Sequence, residues 1–223
     1  MLEERGFATV ALAAVRAQAE KTRPPRALWT AGQLGRPLGE PNDPGFQRRV
    51  LLAALSLLTR TDGPVILADF TEEPPNWTDT QGWTPPVLPA GADFATELAA
   101  LGPVWQTARQ RRGRTSVGLG FHLPDAWPDF TQRFLDGALP VTPPFETAAL
   151  SLRFVCDDIK AFYGECAQAA GPPPSARQVD AWFWRNTAAG QRLKALRETA
   201  LASDNNALKT VGGRFFVPAP WLA

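Results

Sequence analysis

Four places in this chain carry residue types that could do chemistry. The first is the turn Gly35-Arg36-Pro37-Leu38-Gly39-Glu40-Pro41, which runs into Asp43-Pro44 and a segment carrying Arg48. Open α/β sheets hold ligands at such points, outside the carboxyl ends of their strands. Helix amides plus Arg36 could bind a carboxylate or phosphate there, and Glu40, Asp43 and Arg48 complete that candidate set. The glycine spacing is not a dinucleotide fingerprint. The plainer reading is a turn in which Arg36 pairs with Glu40 or Asp43.

The second place is the single histidine, His122, in Gly118-Leu119-Gly120-Phe121-His122-Leu123-Pro124. No sequence neighbour makes it part of a triad or a metal set, so a hydrogen-bonded structural role is favoured over ligand binding. The third is the pair Cys156 and Cys166. On one helix, ten residues separate them by about 15 Å, too far to bridge. Both fall on or beside an apolar stripe, and Asp157 and Asp158 would raise a neighbouring thiol's pKa; inert buried thiols are expected. The fourth is the run Arg109 to Arg114, with four arginines in six residues. It could receive an acidic partner or a phosphate, although a solvated loop is the plainer reading. The carboxylate pairs Glu72-Glu73 and Asp157-Asp158 are mere sequence neighbours, with no spacing that argues for acid–base work.

Composition narrows the classes. A chain of 223 residues with 44% hydrophobic and 20% charged residues fits a soluble globular protein of one large or two small domains. A net charge of +1 supplies no field for nucleic acid or an acidic membrane surface. No apolar run approaches the ~20 residues of a membrane span, and no basic-then-apolar leader is visible. Two cysteines suit a reducing cytoplasm better than a disulfide scaffold. No cofactor or metal is implied. Eight tryptophans stand out, and Trp182, Trp184 and Trp221 are the candidates for a protein-binding surface.

The elements that must position these residues follow from periodicity and punctuation. Phe7–Leu12 predicts a short strand, Ala14–Lys21 a helix stopped by Pro24-Pro25, and Arg26–Trp29 a second strand, together a parallel β-α-β unit. Asp43 and Pro44 open a helix whose inward face takes Phe46, Val50, Leu51, Ala54, Leu57 and Leu58. Val65-Ile66-Leu67 reads as a third extended segment. Residues 73–92 form a proline-rich linker between an α/β unit (1–72) and a mainly helical domain (93–223). In the latter, Phe94–Ala108 is helical, Arg109–Arg114 a basic turn and Thr115–His122 extended. Leu152 to Cys166 carries a helical stripe, Ser175 and Gln178 have capping-box spacing, and Asn186 or Thr187 caps a last helix. The apolar tail Phe215–Trp221 packs back onto the body. The expected fold class is α/β, a small Rossmann-like parallel layer followed by helices.

The segments Arg23–Leu28, Leu34–Pro41 and Asp43–Leu51, with Leu2–Val10 before them, resemble the C-terminal part of the glycine/sarcosine/betaine/D-proline reductase family, selenoprotein B type. The resemblance covers roughly residues 1–70. It implies an α/β layer and association with a redox-active homologue. The family's cysteine or selenocysteine lies upstream of this segment, and no cysteine precedes Cys156 here, so no catalytic residue is carried over. The expectation is a non-catalytic companion of a cysteine- or selenocysteine-bearing reductase-like partner. The alternative is a small-molecule enzyme, or a carrier of an anionic ligand, with its site between the α/β and helical regions.

Overall fold

A computed structural model describes residues 2–31, 36–39, 42–74, 79–169 and 171–222. The chain divides into two compact units, Met1–Thr78 and Asp79–Ala223. The first is a small parallel α/β layer and the second is helical throughout.

In the first unit, β1 (Ala11–Ala13), β2 (Arg26–Thr30) and β3 (Ile66–Phe70) form one parallel sheet in that order, with Leu12 beside Leu28 and Leu28 beside Ala68. Two helices connect the strands: α1 (Arg16–Thr22) and α2 (Pro44–Ser56). The period-two alternation of a strand puts Leu28, Ile66, Ala68 and Phe70 on one face. They meet Phe46, Val50, Ala54 and Leu57 in a single apolar cluster, where the Phe46 and Phe70 rings touch edge to face at 5.8 Å. The opposite face carries Trp29 and Asp69 as register partners, and the Arg16 guanidinium of α1 reaches Asp69 at 3.0 Å.

Two details of this unit differ from expectation. The first strand starts at Ala11, and Phe7 lies exposed. Its cause is Glu3, whose carboxylate accepts the Thr9 amide at 2.6 Å and the Arg26 guanidinium at 2.9 Å. The backbone before Ala11 is therefore tied to the N-terminal turn instead of to a strand ladder. On α2, Leu51 points outward. The inward line runs through Phe46, Val50 and Ala54, so the next residue is rotated by about 100°. Arg48, Leu51, Leu52 and Leu55 make an exposed row at i, i+3, i+4 and i+7.

The second unit contains α3 (Phe94–Arg112), α4 (Trp127–Leu135), α5 (Ala148–Ala167), α6 (Ala176–Asn186), α7 (Ala188–Ala202) and α8 (Asn206–Val211). Side-chain caps start most of them. Asp93 accepts from Thr96 N at 2.8 Å, Thr187 from Gly190 N at 2.9 Å, and Ser175 with Gln178 forms a complete capping box. At the centre lies α5, with Leu152, Val155, Cys156, Ile159, Phe162, Tyr163 and Cys166 all buried. Phe216 and Val217 of the tail enter the same core.

Here too the structure corrects the sequence reading. Arg109, Arg111 and Arg112 belong to the last turn of α3, and Gly113 closes it in the left-handed conformation at φ 65°. Cations suit a helix C-terminus, and glycine suits the residue after it. Trp182 and Trp184 are core residues, 5% and 2% exposed, so neither offers surface to a partner. Their neighbours explain this: Trp182 lies against Tyr163 and Trp184 against Phe183, with ring centroids 5.8 and 4.7 Å apart. Trp221 is half-buried, with the Arg185 guanidinium 5.1 Å over its ring. Among the described residues no helix is long and apolar enough to cross a membrane.

The α6–α7 contact needs a residue without a side chain at Gly190, where a Cβ would meet the Phe183 carbonyl oxygen at 2.3 Å. Gly190→Ala is expected to lower stability by about 2–3 kcal/mol, an overpacking cost. Gly164, within α5, faces open space. Gly164→Ala should raise stability by about 0.5–1 kcal/mol through helix propensity. Urea unfolding midpoints of the two variants check both signs.

Candidate functional site

The site is built from α5. Asp158 and Glu165 are seven residues apart, two helical turns, and so share one side of the helix. Both carboxylates are buried. A buried carboxylate must be fully hydrogen-bonded or it destabilises the fold by several kcal/mol, and here the donors come from the loop after α3 and from Trp105 of α3 itself. Asp158 Oδ1 accepts the amides of Gly118 and Leu119, each at 2.9 Å, and Oδ2 that of Gly120 at 2.7 Å. Glu165 Oε1 accepts the Ser116 amide at 2.6 Å, while Oε2 accepts the Thr115 hydroxyl at 2.9 Å and the Trp105 indole at 2.8 Å. The Val117 amide goes to the Thr115 hydroxyl at 3.0 Å. Every amide from Ser116 to Gly120 is thus spent on a side chain. This is why the segment read as extended forms turns and joins no sheet.

Glycine is required twice in this loop. Gly118 has φ 129°, and a Cβ on Gly120 would meet Val155 N at 3.0 Å and the Asp158 carboxylate at 3.1 Å. Immediately after, Phe121 adopts φ 57°, a left-handed conformation that costs a bulky residue on the order of 1–3 kcal/mol. That expense displays apolar surface: Leu119, Phe121 and Leu123 are 53%, 62% and 72% exposed. The Phe121 ring meets Phe145 edge to face at 5.7 Å, and Phe145 stacks on Phe154 at 4.9 Å. Arg153 then bridges Phe154 and Phe215, 5.2 and 4.0 Å from their ring centroids.

His122 clasps this loop to the 139–144 connection. Its Nε2 is 2.6 Å from the Thr142 hydroxyl, and its ring lies 4.6 Å from that of Phe130. Thr142 N in turn donates to Ser151 Oγ of α5 at 2.9 Å. Leu139 and Val141, exposed beside Thr142, extend the apolar surface. Burial lowers the His122 pKa below its ordinary value of 6.5, while the Asp158 charge opposes the shift. The imidazole is therefore neutral at pH 7. Among the described residues no carboxylate hydrogen-bonds its Nδ1, so the His122–Thr142 pair lacks the orienting third group of a nucleophilic triad.

The remaining candidates take these places. Asp43 caps α2 by accepting Phe46 N at 3.0 Å, which commits its carboxylate to the helix. Arg36 is exposed in the connection between β2 and α2, and Arg48 is exposed on α2; Glu40 lies outside the described residues. Arg36, Asp43 and Arg48 belong to the first unit and His122 to the second. Both thiols are pushed up to about 12 by burial, which leaves neither nucleophilic at neutral pH. Among the described residues no group of three or more His, Cys, Asp or Glu side chains could hold a metal ion. Asp158, Glu165 and the loop they hold were missed in the sequence. The available signals were the seven-residue spacing of two carboxylates along an apolar stripe, and the alternation of Leu119, Phe121 and Leu123. Comparison of the chain with protein-family models, curated proteins and solved structures finds no match.

His122 carries a pH prediction. Its folded pKa lies below the unfolded value, so the unfolded chain takes up the proton first as pH falls. Stability is expected to be fully present above pH 6.5 and to decline below it, down to the folded pKa. His122→Gln should flatten that part of the curve relative to the parent chain, checked by unfolding midpoints between pH 7.5 and about 5.

Proposed function

We propose that this chain is a non-catalytic companion subunit that docks on a redox-active partner, a reductase-like protein carrying the reactive cysteine or selenocysteine. The observation that carries the reading is the fixed apolar loop, where Leu119, Phe121 and Leu123 face solvent on a backbone held by Asp158. Isolated exposed leucines need no explanation, but a bulky residue held at positive φ at the centre of an apolar surface does. Burying such side chains in a partner would contribute on the order of 1.5–3 kcal/mol each. A rigid loop loses little further entropy on binding.

The partner's class comes from the resemblance of residues 1–70 to the reductase family. The state of the thiols supports placing the chemistry on the partner: Cys156 and Cys166 are buried within the helical core. Free thiols also suit the cytoplasm as the compartment. No nucleic-acid role is proposed, because a net charge of +1 argues against a basic stripe, and Trp127, Trp182 and Trp184 are buried in the helical core.

The test is affinity capture of the tagged chain from its native cells, in parallel with the double variant Phe121→Ser/Leu123→Ser, followed by mass spectrometry and thermal unfolding. The parent chain should retain a cysteine- or selenocysteine-bearing reductase-like protein in stoichiometric amount. The variant, with an unchanged unfolding temperature, should lose at least ten-fold of it. Equal retention by both, or no such protein on either, would overturn the reading.

A further inference from the structure

A groove of 440 Å³ opens at the other end of the stapled loop, lined by Arg112, Arg114, Thr115, Ser116, Glu165 and Gln168. Its basic side chains come from the arginine run at the end of α3. The frame that holds them is well defined. Arg109 lies 5.7 Å over the Trp105 ring. Arg111 donates to the Ala169 carbonyl at 3.1 Å and so covers the C-terminal end of α5. Arg112 donates through Nη2 to Gln168 at 2.9 Å, which leaves its other guanidinium donors for the groove. Arg114 has no ion pair or hydrogen bond among the described residues, and the Ser116 hydroxyl has none either.

The single carboxylate in the groove does not compete for these cations. Glu165 is buried, and the Ser116 amide, the Thr115 hydroxyl and the Trp105 indole occupy both of its oxygens. The two arginines of the groove, Arg112 and Arg114, therefore face one carboxylate that is already engaged. Cations at a helix C-terminus are ordinarily explained by the helix dipole. That explanation covers Arg111 and Arg112, which bond the end of α5, and leaves Arg114 and the open hydroxyl of Ser116 without one.

We propose that the groove formed by Arg112, Arg114 and Ser116 binds a phosphate dianion, free or as the monoester of a small molecule. Two guanidinium forks and a hydroxyl match the tetrahedral oxygens of phosphate, and guanidinium pairs bidentately with that group. The groove is too small and too local for a polyanion, whose phosphates would need a basic stripe. It is independent of the apolar docking loop, although Glu165 ties both to α5: its hydrogen bond from Ser116 N sets the position of the Ser116 side chain.

The test uses the full chain in chloride buffer of fixed ionic strength, with inorganic phosphate and glycerol 3-phosphate as probes. Binding is read by calorimetry and by unfolding temperature, for the parent chain and for Arg114→Gln and Arg112→Gln/Arg114→Gln. Phosphate or its ester should bind the parent chain and raise its unfolding temperature. Arg114→Gln should weaken binding at least ten-fold while leaving the ligand-free unfolding temperature unchanged. Tighter binding of glycerol 3-phosphate identifies an esterified phosphate as the occupant, and tighter binding of inorganic phosphate identifies the free ion. No binding of either probe, or binding of equal strength in the double variant, overturns the proposal.

Discussion

The hydrogen bonds from three successive amides to the buried Asp158 carboxylate are the constraint on which the rest of the helical unit's surface depends. Each side of that arrangement needs the other. Without the loop, Asp158 would be a buried charge with no donors, among the most costly defects a fold can carry. Without Asp158, three adjacent amides would lose their partners in one place. Glu165 repeats the device two turns later with Ser116 and Thr115. The loop is therefore as much a part of the core as α5, although its side chains face outward. The strained Phe121, the clasp from His122 to Thr142 and the row of exposed apolar side chains all follow from where those amides are fixed.

The two units use different means to become specific. The small sheet relies on apolar packing between alternate strand residues and one line of α2, with ion pairs such as Arg16–Asp69 at its surface. The helical unit surrounds α5 with aromatic rings and then uses buried carboxylates to hold what the rings cannot. Glu97 does this a third time: it accepts the Tyr163 hydroxyl at 2.7 Å and the amides of Ala188 and Ala189 at 2.7 and 3.2 Å. A carboxylate from α3 thereby satisfies the first turn of α7, with its dipole in the favourable sense.

Much of the architecture was legible in the sequence because its causes are local. The caps at Asp43, Ser175 and Thr187, the helical stripe of α5 and the parallel arrangement of Ala11–Leu12 with Arg26–Thr30 rest on spacing and on residues a few positions away. What escaped was set across long separations. Thr115–His122 looked extended because its amide partners lie some forty residues downstream, on a helix whose Asp157 and Asp158 are indistinguishable as letters. Asp157 turns outward to Lys160, and Asp158 turns into the core. Only the phase of the apolar stripe separates the two. Trp182 and Trp184 escaped for a related reason: tryptophan serves interfaces and cores equally well, and the choice belongs to the neighbours that Tyr163 and Phe183 provide.

Whether the carboxylates of α5 fix the loop, so that it displays its apolar residues from a rigid backbone, can be read from native-state hydrogen exchange at the Gly118, Leu119 and Gly120 amides. Bonded to a buried carboxylate, these amides should exchange as slowly as the central amides of α5, through global unfolding. Exchange at the rate of an exposed loop would mean that the carboxylates do not hold it, and would remove the physical basis for a preformed docking surface.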